Sequence, residues 1–185
     1  MKPILFNTEM VRAILDGRKT VTRRVIHIPN YGYFMTEPPR VVSRYQTGDI
    51  LYVRETYSKD VGRYMYKANY IDNEKFYRDG KEVSIKWHPS IHMPREAARL
   101  FLRVLRVRAE RLQEITGAEC VREGIPQESL KEVGEAFTVG QYFDLWDSTV
   151  KPADLPHYGW DANPWVWVID FERISRDEAL KEESK

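Results

Sequence analysis

"AARLFLRVLRVRAERL", residues 97–112, decides how the rest of the chain is read. Its Leu, Val and Phe suit either an amphipathic helix or a strand. The β-branched content, with Pro94 just upstream, favours a strand over most of its length. The neighbouring segments then fall into a β-rich pattern. "KTVTRRVIHI" (19–28) is β-branched and reads as a strand. "GDILYVRETY" (48–57) opens on a turn signal and alternates Ile50, Tyr52 and Arg54 with Leu51, Val53 and Glu55. "NPWVWVIDFERI" (163–174) is a terminal strand.

Helices are few. In "NTEMVRAILDG" (7–17), Asn7 or Thr8 can cap a turn whose Met10, Val11, Ile14 and Leu15 recur at helical spacing, and Gly17 is placed to end it. In "TGAECVREGI" (116–125), Thr116 with Glu119 three residues on is a capping-box pattern. "VGQYFDLWDSTV" (139–150) predicts another helix, with Phe143 and Trp146 at i,i+3. "NYGYFMTEPPR" (30–40) carries Gly and two prolines and reads as a loop. From Tyr57 to about Pro94 the chain is rich in aromatics, and Arg78-Asp79-Gly80-Lys81 is a good hairpin turn. This predicts a β-hairpin insertion at 57–94. "SRDEALKEESK" (175–185) predicts a charged tail that frays, with 176–185 outside the domain. Several short strands without βαβ alternation predict a mixed, β-rich α+β fold: a small β-barrel with flanking short helices, as a single domain over 1–175.

Composition narrows the class. The 185 residues are 42% apolar and 31% charged, as in a soluble globular protein. No apolar run approaches membrane-spanning length, and the N-terminus is too short and polar for a secretion signal, so a cytoplasmic address is expected. Cys120, the single cysteine, excludes an internal disulfide and a cysteine metal cluster. His88 and His92 are four apart, but Pro89 and Pro94 oppose the helix a metal pair would need; neither metal nor cofactor is expected. Charge is uneven along the chain. Residues 1–112 carry 22 Lys and Arg against 12 Asp and Glu, and residues 113–185 carry 7 against 16. Either one face is strongly basic, as in a nucleic-acid or phosphate binder, or the halves interleave and cancel.

The chemistry concentrates in "GRKTVTRR" (17–24). A lysine of depressed pKa can take the proton of a threonine hydroxyl, which makes Lys19 and Thr22 a candidate base and nucleophile. Strand alternation would separate them, so Lys19 must still lie in the turn after Gly17 or a bulge must intervene. Arg23 or Arg24 could hold an anion or a developing oxyanion. An exposed basic strand is the competing reading. Glu123, beside Gly124 as the expected helix stop, is a candidate acid–base group. Arg106 with Arg108 could line a phosphate path. Trp160, Trp165 and Trp167 suit a core better than base stacking.

Taken in order, "ILDGRKTVTRR", "GDILYVRET", "ITGAECVREGI", "FDLWD" and "NPWVWVIDFERI" resemble the ASCH domain, from Lys2 to about Arg173. The chain is most similar to the longer ASCH proteins of phages and prophages, which carry an insertion resembling "KWHPSIHMPREAARL". The resemblance implies a PUA-like barrel that binds RNA or a nucleoside or nucleotide in a basic cleft. Some small ASCH proteins remove the acetyl group from N4-acetylcytidine; by motif, their lysine, threonine and glutamate become Lys19, Thr22 and Glu123. Arg18, Arg23, Arg24, Arg54, Glu55 and Arg106 stand forward as ligand-binding residues. Binding without turnover, amide hydrolysis, and a phage-related protein-interaction role are the three expectations.

Overall fold

The computed structural model describes residues 1–27, 38, 41–60, 62–71 and 74–184; the expected loop at 30–40 lies, apart from Pro38, outside the described residues. In chain order the elements are β1 (Lys2–Leu5), α1 (Thr8–Leu15), β2 (Val21–Val25), β3 (Ile50–Arg54), β4 (Tyr57–Asp60), β5 (Arg63–Tyr66), β6 (Phe76–Arg78), β7 (Lys81–Val83), β8 (Phe101–Arg111), α2 (Gly117–Glu123), α3 (Glu135–Thr149), α4 (Leu155–Tyr158), β9 (Trp165–Ile174) and α5 (Arg176–Glu183). The fold is mixed α+β. Its main sheet has five strands in the order β1-β3-β8-β9-β2, and β4-β5 and β6-β7 are two separate hairpins. Among the described residues the outer strands β1 and β2 are not paired with each other. The segment 101–111 is a strand, as its valines and the upstream proline indicate.

The chain divides into two compact units. The first comprises 1–16, 49–103 and 173–185. There β1 runs parallel to β3, and β3 antiparallel to the start of β8. Asn7 caps α1 through Met10 N, as its sequence suggests. Arg78 and Lys81 pair across Asp79 (φ 50°) and Gly80 (φ 73°), the two left-handed residues that a type I′ hairpin turn requires. Ile50, Tyr57, Met93, Ala97, Ala98, Phe101, Ile174 and Ala179 form this unit's buried cluster.

The C-terminal segment corrects the expectation of a fraying tail. Residues 176–183 are helical: Ser175 Oγ accepts from Glu178 N, and the Glu178 carboxylate accepts from Ser175 N. Ala179 is buried, and Glu183 takes the N-terminal ammonium of Met1 at 2.8 Å. A capping box and an anchored last turn order a helix whose composition alone looks solvated.

The second unit comprises 17–48 and 104–172. β2 pairs antiparallel with β9, Thr22 opposite Ile169 and Arg24 opposite Trp167. Val21, Leu112, Ile115, Cys120, Ile125, Tyr142, Trp146, Val166 and Val168 make its core, with Trp160 packed against it. α3 faces that core with Thr138, Tyr142 and Trp146, three residues four apart. Among the described residues no helix is long and apolar enough to cross a membrane.

Candidate functional site

The site in the second unit is built on the end of α2. Thr116 Oγ1 accepts from Glu119 N while the Glu119 carboxylate accepts from Thr116 N, which starts the helix. Gly124 ends it at φ 112°, a conformation that side chains with a Cβ rarely adopt. The short helix thereby carries Glu119 and Glu123 one turn apart on one face. Residues 18–20 lie along its terminus. Arg18 Nη1 donates to Gly124 O (2.6 Å), Thr20 N to Arg122 O (2.8 Å), and Lys19 Nζ to Glu123 O (2.8 Å). These donors satisfy carbonyls that a helix end leaves unpaired, where positive charge is also favoured. The lysine therefore sits before β2, outside its alternation.

Lys19 Nζ also lies 2.5 Å from Glu123 Oε2, with no exposure of the lysine side chain and 3% of the glutamate's. The other oxygen, Oε1, accepts from Arg23 Nη1 and from the Tyr142 hydroxyl, each at 3.3 Å. One buried carboxylate thus meets three donors, from the turn before β2, from β2 and from α3. Burial pulls the Lys19 pKa below the usual lysine value; Glu123 opposes this, while Arg24 and Arg23 add to it. Burial, aided by Glu123, pushes the Tyr142 phenol well above 10, so it stays a neutral donor. Burial works against the Arg23 charge, but Glu123, Glu119 and Glu110 outweigh it and raise its pKa.

Around this centre runs an ionic network. Arg23 Nη2 donates to Glu119 at 2.9 Å and to Glu110 at 3.4 Å. Arg108 reaches Glu119 (2.6 Å), Asp170 (2.5 Å) and Glu110, and Arg122 shares Asp170. In this network Arg23, Arg108 and Arg122 are paired with Glu110, Glu119, Glu123 and Asp170.

The structure brings together Lys19, Arg23 and Glu123. Thr22 is buried on β2, but its hydroxyl is not hydrogen-bonded to Lys19 or Glu123. By alternation it shares a strand face with Arg24, opposite Arg23. Burial lowers the Arg24 pKa, with Glu123 opposing. Arg18 and Arg106 are exposed. Arg54 and Glu55 belong to the first unit. There an Arg54 amino group donates to Ile91 O, and Glu55 takes a two-pronged contact from Arg99 at 2.8 and 2.9 Å. Arg99 also reaches Asn69 and lies over the Tyr66 ring at 4.1 Å. Among the described residues no His, Cys, Asp and Glu cluster is arranged to hold a metal.

Sequence reasoning missed Tyr142, Glu119 and Arg108. Glu119 was visible only as a capping residue and Arg108 only as a phosphate contact. The buried spacing of Thr138, Tyr142 and Trp146 was the available signal for the tyrosine.

No known protein-family profile matches the chain, and no curated protein does. Among solved structures it is similar to the crystal structure of protein EF3133 from Enterococcus faecalis V583, assigned to DUF984. The identity is 11% and the TM-score 0.38, over 95% of this chain and 82% of that one.

Proposed function

We propose that the chain is an ASCH-type, PUA-like protein that accepts a modified nucleoside at Lys19 and Glu123 and hydrolyses an N4-acylcytidine-type amide there. The observation that carries this reading is the fully buried Lys19 ammonium held by Glu123. A buried lysine of lowered pKa, 2.5 Å from a carboxylate, is a candidate acid–base pair that can pass a proton across that contact. With that proton on Glu123, neutral Lys19 takes the hydroxyl proton of Thr22 as Oγ1 attacks the acyl carbon. Collapse of the tetrahedral intermediate breaks the C–N bond, and Lys19 returns the proton to the departing N4. Water, deprotonated by the same pair, then hydrolyses the threonyl ester. Catalytic hydrogen bonds are often loose before substrate binds, and in this reading the Thr22 hydroxyl turns toward Lys19 in the complex.

The internal pairing of Arg23 and Arg108 favours a small, uncharged ligand over a long RNA. Incubation with N4-acetylcytidine, following release of cytidine, tests the proposal. Wild type turns over, and Lys19→Ala and Thr22→Ala do not. Activity surviving both substitutions removes these residues from the mechanism.

Binding without turnover is the second reading, supported by the exposed Arg18 and Arg106. It predicts RNA affinity that weakens as salt rises; a salt-independent signal counts against it.

A further inference from the structure

Tyr142 carries a role beyond packing. Its ring belongs to the second unit's core, edge-on to Trp160 at 6.4 Å and tilted against Trp146 at 6.3 Å. A buried phenol needs a partner for its hydroxyl, and this one has Glu123 Oε1 at 3.3 Å. Arg23 Nη1 donates to the same oxygen. Oε2 faces Lys19, and the lysine is itself pinned by the backbone carbonyl of Glu123. The two oxygens of the carboxylate therefore have different work: one is fastened, the other meets the ammonium.

We propose that Tyr142 is a positioning residue: with Arg23 it fastens Oε1 of Glu123, confining proton exchange with Lys19 to Oε2. This rests on the reading of Lys19 and Glu123 as the acid–base pair. Removing a hydrogen bond made to a carboxylate raises the pKa of that carboxylate. Tyr142→Phe deletes one donor and changes no charge, while Arg23 keeps Glu119 and Glu110. A neutral hydrogen bond of ordinary strength corresponds to about 0.5–1 pH unit.

The titration of the Glu123 side-chain carboxyl carbon, followed by NMR in carbon-labelled protein, is the test. In Tyr142→Phe the midpoint rises by about 0.5–1 unit, and the acid limb of the kcat/KM profile with N4-acetylcytidine rises with it. Should Tyr142→Phe fail to fold, 3-fluorotyrosine placed at 142 is a stronger donor and moves the midpoint down. A midpoint unchanged in the folded variant overturns the proposal, even if Tm falls. The two readings fail separately. Absent turnover with a shifted midpoint sinks the hydrolase but keeps the clamp, and turnover with an unshifted midpoint does the reverse.

Discussion

Lys19 meets Glu123 twice, donating from one Nζ to the carboxylate Oε2 at 2.5 Å and to the residue's own carbonyl at 2.8 Å. The lysine is thus tied to the helix end as well as to the charge. Breaking a buried pair strands the remaining ion, which costs more than the pair itself contributes. Lys19→Met should lower unfolding stability by about 3–5 kcal/mol, and Glu123→Leu by a similar amount. The double variant Lys19→Met/Glu123→Leu should lose less than either, because no uncompensated charge of the pair stays inside. Urea denaturation of the three proteins measures this, and additive losses would refute it.

The same lysine shapes stability against pH. Its folded pKa is lowered below the usual 10.5, so in the window ending there the unfolded chain holds the proton more tightly. Its contribution therefore rises with pH through that window. Cys120 acts oppositely. Burial pushes the thiol up to about 12 from 9, so its contribution falls as pH climbs between those values. Lys19→Met removes only the rising part. Between pH 9 and 10.5 the variant's stability should fall more steeply than wild type's, and equal slopes would contradict the assignment. Cys120 should also resist iodoacetamide at pH 9 until urea unfolds the chain.

In the first unit, Glu55 is 1% exposed and its two-pronged contact with Arg99 anchors segment 90–99 beside β3. Arg99→Met should cost about 2–3 kcal/mol. Hydrogen exchange should accelerate at Met93, Ala97 and Ala98, whose amides bond within that segment. Uniform protection in the variant would mean that the ion pair holds nothing in place.

Thr116 begins the helix that carries both Glu119 and Glu123. Thr116→Ala should cost about 1 kcal/mol, and Thr116→Ser should restore most of it, as read by thermal melting.

What could be read beforehand follows from how local each signal is. The strand at 101–111, the Asn7 and Thr116 caps and the Asp79-Gly80 turn rest on propensity and a few neighbouring residues. Ser175 and Glu178 carry an equally local capping signal, masked by the charge around them. The site is different. Lys19 and Glu123 are 104 residues apart, and their meeting came from a resemblance, not from spacing. Arg23, expected as a ligand-binding residue, lies against Glu119 and Glu123, partners that its place in the sequence does not reveal. Charge counts along a chain cannot distinguish a basic face from an interleaved network, because pairing partners are set by tertiary packing.

In the proposed hydrolysis Thr22 attacks an acyl carbon while Lys19 and Glu123 handle the proton. Rapid acid quench during turnover of N4-acetylcytidine, followed by peptide mass mapping, reads it directly. A transient acetyl group should appear on the Thr22 side chain and be absent in Thr22→Val and Lys19→Ala. Cytidine release at an undiminished rate from Thr22→Val, with no acetylated peptide in wild type, would contradict it.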